Sequence, residues 1–140
     1  MSDAAYQIAH YLEDEGVGTV GTNIFIDAAP APDNKVALEY VAVYNEGGRS
    51  PLVGTEIEQP HIVVLIFGDP TKRMTTWAKA ETIKGLLHDV GNLELFDSSA
   101  DDGYKYILIR LRGHPSRQPK DEHNRTVIRM AFAIMRTSLA

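Results

Sequence analysis

The chain has 140 residues, 44% apolar and 24% charged, with no cysteine and a net charge of −5. Those values describe one globular domain over 1–140, exclude disulfides and thiolate metal sites, and argue against a general nucleic-acid binder, since the chain is acidic overall. No apolar run approaches the roughly 20 residues that span a bilayer, and Met1 to Tyr6 lacks the basic start of a signal peptide, so cytoplasmic synthesis without a membrane partner is expected.

Ser2 or Asp3 caps a first predicted helix, with Ala5, Ile8, Ala9 and Leu12 on one face and Gly16 just past its end. Glu13, Asp14 and Glu15 crowd its C-terminus, where the helix dipole disfavours negative charge. Residues 17–21 form a glycine-rich turn without the Lys-Ser/Thr ending of a phosphate cradle. Asn23 to Asp27 reads as a short strand, followed by a stiff connector holding Pro30 and Pro32. Val36 to Tyr44 reads as a strand, with Tyr40, Ala42 and Tyr44 facing one way and Val41 and Val43 the other, ended by residues 45–48.

Residues 49–58 show no period and are expected to form a mobile loop or arm; with the strand end, that loop spans 45–58. The longest apolar run follows, Ile62 to Phe67, bounded by Pro60 and by Gly68-Asp69-Pro70. It reads as a central strand covered on both faces. A helix is predicted from about Met74 to Val90, with a stripe of Trp77, Ala80, Ile83, Leu87 and Val90, His88 in its last turn and Gly91 as the stop. Residues 93–96 form a short strand. Tyr104 to Arg112 form another, with Ile107, Ile109 and Leu111 opposite Tyr104, Tyr106, Leu108, Arg110 and Arg112. Residues 113–124 read as a second polar, mobile loop. Thr126 to Thr137 closes the chain as a strand in which Ile128, Met130, Phe132 and Ile134 alternate with Val127, Arg129, Ala131 and Ala133. The fold class is α+β, a mostly antiparallel sheet with two helices packed on it.

The charge is strongly polarised along the chain. Residues 1–34 carry Asp3, Glu13, Asp14, Glu15, Asp27 and Asp33 without a single Lys or Arg, and sum to −6. Residues 105–140 carry Lys105, Arg110, Arg112, Arg117, Lys120, Arg125, Arg129 and Arg136 against Asp121 and Glu122, and sum to +6. Two readings stand: the ends neutralise each other inside one fold, or an acidic face meets a basic one on a neighbouring copy, head-to-tail. The interface candidates are Glu13, Asp14, Glu15, Asp27, Asp33, Arg110, Arg112, Arg117, Lys120, Asp121 and Arg125.

Catalytic chemistry finds little footing. His114, Asp121 and His123 share one loop, the basis for the alternative of a small enzyme with a His/Asp site. Their spacing matches no metal motif, and the neighbouring basic residues would repel a divalent cation. No GxSxG is present. Tyr104 and Tyr106 lack the second aromatic motif of an RNA-binding sheet, and read as half-buried sheet residues or contacts to another subunit. No catalytic residue, metal or cofactor is assigned.

The order of motifs resembles the minor capsid and tail terminator proteins of long-tailed bacteriophages. The resemblance rests on Asn23-Ile24-Phe25 with the Pro30/Pro32 connector, Gly47-Gly48 before a loop, and a strand after Gln59-Pro60. It continues with the helix holding Ala78, Ala80, Ile83 and Leu87, the strand from Tyr104 to Arg112, and Asp121 to Arg125 opening the last strand. Family members often carry an Arg soon after the central strand, where this chain has Phe67-Gly68-Asp69-Pro70. The resemblance implies a non-enzymatic virion protein of the tail or neck, a homo-oligomer in a hexameric ring. That ring would cap the tail tube protein, stop tube polymerisation and offer a docking surface to the head-tail connector, with DNA only as passing cargo. A head-closure or head-tail adaptor protein of the neck is the alternative.

Overall fold

The computed structural model describes residues 3–28, 39–52, 54–96, 103–120 and 124–139. The first helix, α1 (Ala4–Asp14), starts where Asp3 accepts a hydrogen bond from the Tyr6 N–H. Strand β1 (Ile24–Ile26) pairs in parallel with β2 (Tyr40–Arg49), which pairs antiparallel with β3 (Gln59–Gly68). Helix α2 (Arg73–Leu87) leads to β4 (Leu93–Leu95), β5 (Tyr104–Leu111), β6 (Ser116–Gln118) and β7 (Thr126–Ser138). The sheet order is β1-β2-β3-β7-β5-β4, with β6 pairing on β7 as well. The expected α+β class and mostly antiparallel sheet are what the chain forms; only the β1–β2 pair is parallel among these pairings.

Both helices pack on one face of the sheet. Ile8 and Leu12 of α1 and Ile83 and Leu87 of α2 share a core with Val41, Val43, Ile62, Val64, Ile66, Ile109, Ile128, Met130 and Phe132. The apolar run of β3 is central, flanked by β2 and β7, but its two faces differ. Ile62, Val64 and Ile66 face the helices and are buried, whereas Leu65 and Phe67 on the other side remain partly exposed. That second side is helix-free.

Five departures from the expected elements have local causes. The strand expected to end at 45–48 continues to Arg49, because a bulge between Asn45 and Gly48 lets the hairpin resume pairing with Gln59 and Pro60. Gly48 sits at φ +133 where a Cβ would strike the Gln59 carbonyl, so the bulge requires glycine. The expected loop at 45–58 is therefore largely a hairpin. Leu52 N–H donates to Ile57, Gln59 Nε2 donates to the Ser50 carbonyl, and Glu58 bridges to Arg136 of β7 through two backbone hydrogen bonds.

Helix α2 ends at Leu87 and not at Val90. His88 is extended, its Nδ1 accepts from the Leu111 N–H, Asp89 adopts φ +56, and Val90 bridges to Ile109. The sheet edge thus takes over the last three residues of the expected helix, of which Val90 belonged to its apolar stripe. In β5, a bulge between Tyr106 and Leu108 shifts the phase, so Tyr104 and Tyr106 lie with Ile109 and Leu111 in the core and not opposite them. Tyr106 is fully buried and Tyr104 is 8% exposed, which rules them out as contacts to another subunit. Finally, the expected loop at 113–124 contains β6, paired with residues 127–129 of β7.

Candidate interaction surface

The even positions of β7 point into the core, and Arg136 occupies one of them. It is 5% exposed. Its guanidinium lies 3.8 Å from the Tyr104 ring centroid, and Nε donates to Glu58 at 3.0 Å. Its NH1 donates to Gln7 Oε1 and to the Tyr106 hydroxyl, each at 3.2 Å, while that hydroxyl donates to Gln7 Oε1 at 2.6 Å. One cation therefore joins α1, the β2–β3 hairpin, β5 and β7. Burial pushes the Tyr106 hydroxyl up to about 12, against the opposing pull of Arg136. This node ties those elements to one another and faces the interior, Glu58 alone remaining partly exposed.

The acidic candidates separate into tied and untied groups. Glu13 accepts from the Val20 N–H at 2.7 Å and lies 3.5 Å from His10, so it clamps the turn after α1. Asp27 holds both the backbone N–H and the Nδ2 of Asn45, at 2.8 and 2.7 Å, and Asn45 in turn accepts from the Ala5 N–H at the start of α1. Asp14 and Glu15 are exposed, and neither side chain makes a hydrogen bond or ion pair among the described residues. Burial, then the Glu15 charge, raises the pKa of Tyr11 beside them. Asp33 and Asp121 lie outside the described residues.

The basic candidates also divide. Arg125 is half-buried, its guanidinium 5.2 Å from the Tyr40 ring centroid. Tyr40 itself stacks on Phe67 at 4.3 Å, which makes Arg125 part of the packing on the helix-free face. Arg117 of β6 and Lys120 are exposed. Arg110 of β5 and Arg112 just past its end lie on the helix-free face and line a groove of about 360 Å³ with Arg49, Gln59 and His61. Arg112 NH1 lies 3.1 Å from His61 Nδ1. Burial of the ring, then the Arg112 and Arg49 charges, lowers the pKa of His61. Arg110 lies 3.7 Å from Asp89, with both side chains more than 60% exposed, a pair worth tenths of a kcal/mol.

A second concavity, of about 520 Å³, lies on the same face over Val63, Leu65, Phe67 and Val127, beside the exposed Glu46–Arg129 pair. His114 is exposed, and the other members of the His/Asp loop site, Asp121 and His123, lie outside the described residues. No cluster of three metal-ligating side chains occurs among the described residues.

Arg49 and His61 carry no surface signal in the sequence, where β2 and β3 each look self-contained. Pairing alone brings them beside Arg110 and Arg112. Arg136 did carry a signal: it continues the series 128, 130, 132, 134 of core-facing positions, yet its charge places it among the basic surface residues when only composition is weighed.

The sheet is covered by helices on one side and presents a grooved and charged surface on the other. The family model described as "Bacteriophage tail terminator protein" matches residues 11–137, and the chain belongs to that family, a structural protein of the phage virion. No curated protein sequence matches the chain. Among solved structures, a chain of "Virion of native gene transfer agent (GTA) particle" shares the fold at TM-score 0.68 and 16% identity, over 98% of this chain and 100% of that one.

Proposed function

We propose that the protein assembles into a ring, hexameric in the form the family resemblance implies, that caps the tail tube and stops its polymerisation. Its exposed face would offer the docking surface for the head-tail connector, DNA passing through as cargo, and the working location is the tail or neck of the virion. The observation that carries this reading is the family match across residues 11–137, nearly the whole chain. The geometry is compatible with it. A ring subunit must keep its shape under contact from several sides, and the buried Arg136 node ties four elements to one another. It must also present two different patches, because a heterologous contact closes only when unlike surfaces meet.

The test is native mass measurement of the purified protein, alone and with tail tube protein, together with tube length by electron microscopy. A closed multimer and tubes of limited length are expected when the protein is added during polymerisation. A protein that stays monomeric at high concentration and with tubes, and leaves tube growth unchanged, would refute the reading.

A further inference from the structure

The groove on the helix-free face crosses four adjacent strands. Arg49 lies on its β2 side, Arg110 and Arg112 on its β5 side, and Ala133 and Met135 of β7 line it between them. Neighbouring strands are about 4.8 Å apart, so the backbones that carry the two cationic walls stand about 14 Å apart. Arg112 reaches across β7 to His61 at 3.1 Å, so the groove admits the carboxylate side chains at a helix end and not the body of a helix, and its cationic walls select negative ones. Its cations are only weakly matched within the chain: Arg110 has the exposed Asp89 at 3.7 Å, Arg112 faces a histidine whose protonation they disfavour, and Glu46, the nearby carboxylate, is engaged by Arg129.

The complementary element is the C-terminal end of α1. Asp14 and Glu15 are exposed there, and the last turn contains no basic residue. The helix dipole adds partial negative charge at the same place, and Gly16 at φ +85 turns the chain away. This end cannot reach the groove of its own chain. Helix α1 begins beside Asn45 and ends beside Val20, which bridges to Ile24, itself paired with Val41. It therefore runs antiparallel to β2, and its acidic end lies by the start of that strand on the helix-covered face. Arg49 is eight residues further along β2, about 25 Å away at 3.3 Å per residue, and on the opposite face.

We propose that the groove bounded by Arg49, Arg110 and Arg112 receives the acidic C-terminal end of α1, Asp14 and Glu15, from the neighbouring copy in the ring. The inference rests on the ring reading above and adds which two surfaces meet. Two patches at opposite ends and on opposite faces give a head-to-tail contact, never an isologous one. The contact is electrostatic, so it weakens with salt.

The test compares the assembly of the wild type with that of D14K/E15K and of R110E/R112E, by native mass and light scattering over a concentration series, in the presence of tubes if the wild type needs them. Each reversed variant is expected to require at least a tenfold higher concentration to assemble, and an equimolar mixture of the two to regain assembly, because each then meets a complementary neighbour. K84E, on α2 and away from the groove, is expected to behave as wild type. Circular dichroism checks folding, and the milder R49Q/R112Q variant provides a second reading if R110E/R112E does not fold. Assembly of both reversed variants at wild-type concentrations, or failure of the mixture to recover, overturns the proposal; binding of tubes or of duplex DNA lost on R110E/R112E alone would then identify the groove's occupant. A wild type that never assembles refutes the ring reading itself, a distinguishable outcome.

Discussion

Replacing Arg136 by Met separates the contribution of its charge from that of its aliphatic stem. The substitution removes donors to Glu58 at 3.0 Å and to Gln7 and Tyr106 at 3.2 Å, and the cation 3.8 Å over the Tyr104 ring. Hydrogen bonds to a charged group contribute about 1.5–3 kcal/mol each, and these are offset by the several kcal/mol needed to desolvate a guanidinium. The acceptors left behind are not stranded. Gln7 keeps the Tyr106 hydroxyl at 2.6 Å, and Glu58, whose side chain is 38% exposed, rehydrates. The expected net loss is about 1–3 kcal/mol. Glu58→Ala acts differently, since it leaves a cation in a site only 5% exposed. Breaking a buried pair costs about 3–5 kcal/mol, reduced to about 2–3 by the partial exposure of Glu58. The double variant should lose less than the sum of the singles by about 1–2 kcal/mol, because the second change removes a partner already gone. Urea or thermal unfolding at matched oligomeric state measures the cycle, with about 3–5 °C in Tm per kcal/mol for a chain of this size. A coupling within about 0.3 kcal/mol of zero would refute the reading of Arg136 and Glu58 as one unit.

Three further outcomes are expected. The Tyr106 pKa stands at about 12 in the folded protein, against about 10 when unfolded. Its contribution to stability is therefore fully present below about pH 10 and is lost, by about 2–3 kcal/mol, as the pH rises to about 12, where the unfolded state gives up its proton first. Tyr106→Phe should remove that part of the alkaline slope, and an unchanged slope would contradict the burial argument. Arg112→Gln should move the His61 pKa upward toward its ordinary value, since the Arg112 and Arg49 charges, after burial, hold it down. The sign follows: with a lowered folded pKa, stability falls as the pH drops below the unfolded value of about 6.5, and the variant should lose less of it. NMR titration of the ring protons reads the shift, and no movement would mean the groove charges do not converge as described. Gly48→Ala should cost about 1–3 kcal/mol, because φ +133 and the nearby Gln59 carbonyl both disfavour a Cβ; chemical denaturation measures it, and a neutral result would argue against the bulge.

Much of the architecture was legible because it rests on local pattern. Asp3 and the Ala5, Ile8, Leu12 spacing determined α1, the run from Ile62 to Phe67 determined a central strand, and the alternation from Ile128 to Ile134 determined the longest strand and its inner face. The family, too, was readable from motif order, since that order is a property of the chain. What alternation could not reveal is a change of phase. The bulges at residues 45–48 and at Ile107 each shift one strand against its partner, and the cost of a bulge is recovered through pairing with strands distant in sequence. Hence Tyr104 and Tyr106 entered the core, and the hairpin extended to Arg49.

The candidate interaction surface divided in the same way. Sequence alone determined that charge of one sign lay at each end of the chain, and that no familiar catalytic spacing was present. Tertiary structure decided which of those charges remain available. Glu13 and Asp27 are bound to backbone N–H groups, Arg125 packs on Tyr40, and Arg136 is buried. Arg110 and Arg112 gained Arg49 as a neighbour across four strands. The reason is physical: a side chain's charge is written in the sequence, but its partners are set by register, and register is a property of the assembled sheet.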